Sequence, residues 1–271
     1  MSARKLMRTI QSEFWFLKGA KEACYLHGRK WLRRPSEPDF ACLRFLPDAL
    51  GGCYVDVGAN QGQSIEAIRL LKPAARVHAY EPNRRLAAML ERRHGRSPGI
   101  VIHACGLADT AQAASLFTPV YKGFVYDGLT SLDRASAAMW LSPETLYRFR
   151  AERLEVREAR CRTEPLDDEH LDPIFIKIDV QGGEYQVVAG GLQTIRRCEP
   201  VLMIEDLSHR PALGALLTAL GYRQYRFDAT GFYPADDSAV MNFLMMTAPR
   251  AATVIQSAAG ARAASGTIMQ P

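Results

Sequence analysis

Long apolar runs are scarce in this 271-residue chain, and the early one, Phe14-Trp15-Phe16-Leu17, is far shorter than the roughly 20 residues a bilayer span requires. No transmembrane helix is expected. Glu13, Lys18, Lys21 and Glu22 also interrupt any apolar core of a secretory leader, so the chain is expected in the cytoplasm. Paired cysteines are missing as well. Cys24, Cys42, Cys53, Cys105, Cys161 and Cys198 form no C-x-x-C pair and the histidines are scattered, so neither a disulfide frame nor a metal site is expected. The formal charge of +5 comes from residues 1–39, which hold 9 Lys/Arg against 4 Asp/Glu. The rest of the chain is neutral, and no nucleic-acid partner is expected. The leader mixes its cations with Phe14, Trp15, Tyr25 and Trp31. That mixture fits either a helical extension packed on the main domain or peripheral contact with an anionic inner membrane face.

From about residue 40, short apolar runs alternate with helix-length amphipathic stretches, which marks βαβ units, an α/β fold and a mainly parallel sheet. Strands are predicted at 53–57, 77–80, 100–103, 174–178 and 201–204, with helices at 64–71, 86–93, 184–197 and 212–220. Segments 222–227 and 241–246 close the sheet as a final pair, joined by a loop through Gly231 and Pro234. Residues 113–170 form an insertion or lid-like region, with a strand at 114–117 and a charged helix within 143–153. The domain plan is a basic aromatic helical extension at 1–39, a main domain at 40–249 and an Ala-rich flexible tail at 250–271.

The sharpest motif is Asp56-Val57-Gly58-Ala59-Asn60-Gln61-Gly62, a strand that ends beside an acid and turns through two glycines into a helix. Gly58 and Gly62 let the backbone approach a ligand where a side chain would collide. A dinucleotide fingerprint needs glycine where Asn60 stands, and Asp56 would face the pyrophosphate charge, so the electrostatics oppose a nicotinamide cofactor. They suit S-adenosylmethionine, which has no phosphate and has an ammonium group that a carboxylate such as Asp56 can help to hold. Glu81, followed by Pro82 at the end of the second strand, is placed to accept hydrogen bonds from both hydroxyls of a ribose. After the third strand, Gly106 and Leu107 are placed to flank an adenine ring. Three such turns at successive strand ends line one crevice.

These motifs, with Ile176-Lys177-Ile178-Asp179-Val180-Gln181-Gly182-Gly183-Glu184, 199–205 and Asn242-Phe243-Leu244, resemble the FkbM-type methyltransferases over about 54–246. The resemblance implies a Rossmann-like class I methyltransferase fold, with a seven-stranded sheet, helices on both faces and an antiparallel C-terminal strand pair. It also implies S-adenosylmethionine as cofactor and O-methylation of a glycan or small-molecule hydroxyl. Gln181 stands where the family often has Glu. The rival reading is a non-catalytic binding or scaffold subunit that keeps the fold.

Methyl transfer to a hydroxyl needs an aligned acceptor and a base for its proton. Asp179, ending a buried central strand, is the first candidate for base, acceptor orientation or cofactor contact. Glu205 ends the neighbouring strand, and the two can share a pocket in which one pKa rises. His209 is a second base candidate. Glu184 is either catalytic or a first-turn carboxylate favoured by the helix dipole. Lys177, inside an apolar strand, needs Asp179 or Glu205 as partner. Tyr121, Phe124, Tyr126, Thr130 and Ser131 offer rings and hydroxyls that either hold an acceptor or form the core of the insertion.

Overall fold

The computed structural model describes residues 5–6, 9–10, 35, 37–47, 51–205, 211–228, 231–235 and 242–266, with side chains in the last helix described through Ala258. The core begins with a 3-10 segment, Pro38–Phe45, whose Phe40, Cys42 and Leu43 are buried. β1 (Cys53–Val57) is buried at every position, as a strand covered on both faces must be. α1 (Gln63–Leu71) puts Ile65, Ala67 and Ile68 inside. β2 (Val77–Tyr80) leads to α2 (Arg84–His94), where the Asn83 side chain accepts the backbone N–H groups of Arg85 and Leu86 and so caps the first turn. Arg92 and Arg93 favour its other end by opposing the helix dipole. β3 (Ile100–His103) completes the first parallel group.

The chain then builds a separate four-stranded sheet. It comprises β4 (Gly106–Leu107), β5 (Gln112–Tyr121), β6 (Phe124–Val125) and, after α3 (Arg134–Met139), β7 (Leu154–Glu164), in the order β4-β7-β5-β6. It returns with β8 (Pro173–Ile178), α4 (Glu184–Ala189), α5 (Leu192–Cys198), β9 (Val201–Glu205) and α6 (Pro211–Ala219). β10 (Tyr222–Asp228), β11 (Gly231–Pro234), β12 (Asn242–Thr247) and α7 (Ala248–Gly266) finish it. The main sheet has the order β11-β10-β12-β9-β8-β1-β2-β3. Its β3, β2, β1, β8 and β9 run parallel, whereas β12 is antiparallel to both neighbours. One face carries Tyr54, Phe175 and Met203 against the 3-10 segment and α7; the other carries Val55, Ile176 and Leu202. Strand order reverses between β1 and β8, so their carboxyl ends open the crevice in which open α/β sheets bind ligands.

The structure departs from several expectations. The sheet has eight strands, because Gly231–Pro234 is an edge strand on β10, with Phe232 packed on Phe45 and Phe227, and not a plain loop. The helix expected at 184–197 breaks at Gly190-Gly191, where a Cβ on Gly190 would lie 1.9 Å from the Ala108 carbonyl oxygen. Asp167 then caps α5 by accepting the N–H groups of Gln193 and Thr194. No α-helix forms within 143–153. Arg148 has φ +52, and the Tyr121 hydroxyl takes the Arg150 N–H at 2.9 Å, so the segment wraps that ring.

The tail expected to be flexible is helical through residue 266. It buries Ala251, Val254 and Ala258 in the cluster that contains Phe40 and Leu43, and Arg250 donates to the Cys198 and Glu199 carbonyls. Most of the leader lies outside the described residues. Of it, Lys5 donates to the Pro143 carbonyl at 2.6 Å and Thr9 Oγ1 accepts the Tyr147 N–H. Among the described residues no helix is long and apolar enough to cross a membrane.

Candidate active site

A cavity of about 330 Å³ lies between the carboxyl ends of β1, β2 and β8 and the second sheet. Gly58 (φ +86) makes its floor. A Cβ there would sit 2.0 Å from the Asp179 carbonyl oxygen, so the loops after β1 and β8 meet only because this residue is glycine. Asn60 lines the cavity in the left-handed region (φ +48), and its side-chain Oδ1 is buried with no hydrogen-bond partner. Glu81 is held by two backbone amides, one carboxylate oxygen accepting Asn60 N–H at 2.7 Å and the other Asn83 N–H at 2.8 Å. Each oxygen keeps a further lone pair. Burial pushes its pKa up to about 7 despite those two donors. Pro82, Gly106 and Leu107 also line the wall.

Asp56 and Gly62 stand elsewhere. Asp56 is fully buried but is not part of the cavity wall; it faces the 3-10 side of the sheet beside Lys177, its partner in the β1–β8 register. Burial raises its pKa to about 6, with Lys177 opposing. Gly62 (φ +86) packs against Leu90, where any Cβ would lie 2.8 Å from a methyl carbon.

At the end of β8, Asp179 lines the cavity and accepts from Lys177 Nζ at 3.0 Å and Gln181 Nε2 at 2.8 Å. The same Gln181 nitrogen donates to Glu205 at 2.9 Å. One carboxamide thus joins the two candidate carboxylates. Burial alone would raise Asp179, yet Lys177 and the hydrogen bonds from its neighbours hold its pKa below the usual range. Glu205 goes the other way, pushed up to about 8 by burial and by the Asp179 charge. It does not line the cavity and reaches it through Gln181. Lys177 stays charged because Asp179 and Asp56 outweigh its burial. Glu184 folds back to accept the Gly182 N–H and so serves the start of α4. Asn242 is committed to Glu37 (2.8 Å) and Asp39 (3.0 Å). His209 lies outside the described residues.

The roof comes from the insertion, which composition alone did not resolve. Asp127, Gly128, Thr130, Ser131 and Asp133 line the cavity, whereas Tyr121, Phe124 and Tyr126 form the insertion's own core with Leu141 and Leu146. Arg85, in the first turn of α2, ties the roof down through Asp127 at 3.0 Å. On the other side, a Cβ on Gly182 would lie 3.2 Å from Ser136 Oγ, so the loop after β8 and the roof are in contact. The Asp-Gly-Leu-Thr-Ser run at 127–131 is the signal that marks this roof in the sequence.

A parallel sheet reversed at β1/β8, closed by antiparallel β12 and bearing this crevice, is the class I methyltransferase architecture. The chain belongs to the FkbM methyltransferase family, whose domain model, "Methyltransferase FkbM domain", matches residues 56–227. A solved methyltransferase FkbM from Methylobacillus flagellatus KT shares 18% identity, with 73% of this chain and 44% of that chain covered and a TM-score of 0.46. This chain therefore spans under half the length of that protein. A precorrin-6y C5,15-methyltransferase from Geobacter metallireducens GS-15 shares 15% (76% and 83% covered, TM-score 0.36). A SAM-dependent O-methyltransferase from Thermotoga maritima shares 12% (77% and 64% covered, TM-score 0.33). No curated protein matches the chain.

Proposed function

We propose that the protein is an S-adenosylmethionine-dependent O-methyltransferase whose acceptor is a hydroxyl on a glycan or small natural product. The observation that carries this reading is the Glu81 carboxylate, which two amides orient so that one lone pair on each oxygen is left for a ribose diol. The rest of the wall fits the same group. Among the described residues it holds no cation to meet a phosphate, and the unpartnered Asn60 Oδ1 is an acceptor waiting for a donor such as an ammonium. Held by Glu81 and Asn60, the cofactor would supply a sulfonium methyl to the acceptor oxygen and leave as a neutral thioether, so the chain itself would need only to align the hydroxyl and take its proton.

The chain's own residues divide the remaining work. Asp179, kept ionised by Lys177 and Gln181, is suited to accept the acceptor's O–H and fix its direction. Glu205 stands behind the wall, hydrogen-bonded to Asp179, and with a pKa of about 8 it is suited to take the proton on from Asp179. Gln181 keeps the two carboxylates side by side without a third negative charge.

Titration calorimetry with S-adenosylhomocysteine and, separately, with NADH tests the cofactor class. Micromolar binding of the first and none of the second is expected. Saturable NADH binding without affinity for the thioether would return the fold to the oxidoreductases, and binding of neither by folded protein would favour a scaffold.

A further inference from the structure

We infer that the acceptor is a polyol carrying a protonated amine near its reacting hydroxyl, and that acceptors with a phosphate or carboxylate there are refused by charge. This rests on reading the crevice as a methyl-transfer site. The cavity wall holds five carboxylates, Glu81, Asp109, Asp127, Asp133 and Asp179, and among the described residues no Lys, Arg or His. Among the described residues, two of the five have a cation beside them. Arg85 meets Asp127 with its own side chain 67% exposed, and Lys177 meets Asp179 from behind the wall.

The sign of the crevice is local, because the whole chain is formally +5. Behind Asp179 stand Asp56 and Glu205, the latter mostly protonated at neutral pH because its pKa is raised to about 8. The cofactor cannot balance it: a sulfonium, an ammonium and a carboxylate sum to a single positive charge. With Glu81 engaged by a ribose, Asp179 in the wall and the exposed Asp133 at the rim, which also caps α3, remain for the acceptor.

The rest of the wall says what else the acceptor is. Ser115, Thr130, Ser131 and Gln181 offer hydroxyl and amide partners, and among the described residues no aromatic side chain lines the cavity. A flat ring has nothing to stack on, whereas a polyol finds a donor or acceptor on several sides. Asp109 and Asp133 are exposed at the rim, and one sign of fixed charge along a cleft concentrates cations and repels anions, an effect that salt screens.

Matched sugars test this. With the protein saturated in S-adenosylhomocysteine, binding of methyl glucosaminide, methyl glucoside and methyl glucuronide is followed by ligand-observed NMR. The amine should bind at least about tenfold more tightly than the carboxylate, with the neutral sugar between them, and added salt should narrow the gap by screening. Asp133→Asn removes one charge while keeping a good N-cap for α3, so helix content should hold while the preference for the amine falls about threefold or more. Glucuronide binding as tight as glucosaminide, or no glucosaminide binding to the loaded protein, overturns the acceptor class and leaves the cofactor assignment standing. Failure of S-adenosylhomocysteine to bind removes the cofactor assignment and the acceptor class together.

Discussion

Replacing Glu81 by Gln should cost the protein most of its affinity for S-adenosylhomocysteine, and the structure sets the size of the loss. Both carboxylate oxygens already accept a backbone N–H, from Asn60 and Asn83. Gln keeps one acceptor and turns the other position into a donor facing one of those amides. At least one charge-assisted bond to the ligand goes, and a backbone donor is left unmatched. Hydrogen bonds to charged groups contribute about 1.5–3 kcal/mol each, so a net loss of about 2–4 kcal/mol follows, roughly 30- to 1,000-fold in Kd. The wild-type protein should also show the titration of this group. Its pKa of about 7 in the free protein lies above the usual carboxylate range, and only the ionised form accepts both ribose hydroxyls. Affinity should therefore rise about tenfold between pH 6 and pH 8, with proton release visible as a buffer-dependent binding enthalpy near pH 6.5. Calorimetry in two buffers over that range is the assay. Unchanged affinity in Glu81→Gln, or a flat pH profile in the wild type, would refute the ribose assignment.

Gly58→Ala forces a side chain into the left-handed region and against the Asp179 carbonyl, and should destabilise by about 2–4 kcal/mol in urea unfolding; a loss under about 0.5 kcal/mol would deny the close approach of the two loops. Lys177→Met leaves Asp56 and Asp179 without their buried cation, at a cost of about 3–5 kcal/mol. Both acids can take up protons in that variant's folded state, so its stability deficit should be smaller at pH 5 than at pH 8; an equal deficit at both would separate Lys177 from those acids. With an acceptor in hand, kcat should climb with pH through about 8 as Glu205 loses its proton. Glu205→Gln should abolish that limb, and a variant that retains it would move the base elsewhere.

The parallel strands were legible as short apolar runs: Cys53–Val57, buried throughout, Val77–Tyr80, and the edge strand Ile100–His103 match the sequence reading to the residue. Gly58, Asn60, Glu81, Pro82, Gly106, Leu107 and Asp179 were legible as one crevice because each follows such a strand. Asp56 was harder. Its place in the motif is plain, but which face of β1 carries it depends on the register against β8, where Lys177 sits opposite. β7 escaped notice because Leu154–Glu164 pairs along its length with β5 while most of its side chains remain in solvent, so no apolar alternation marks it. The last helix, Ala248–Gly266, reads as a loose tail because its polar faces carry few charges. Its Ala content is nonetheless what helix propensity favours, and Ala251 and Val254 supply the inner stripe. The roof acids Asp127 and Asp133 belong to the insertion, whose fold over the crevice is set by long-range pairing and has no local pattern.

The place of β8 between β1 and β9 also sets an order of events during synthesis. β1 pairs with β2 soon after both emerge, but its other edge must wait until residues 58–172, with the entire second sheet, have left the ribosome. An apolar strand with an open edge is a template for pairing with another chain, and closing so long a loop is slow. The nascent protein therefore spends its most adhesive interval with the central strand β8 still unmade. Antiparallel pairing of β5 with β7 across residues 122–153 gathers much of that loop into one compact unit and so shortens the interval.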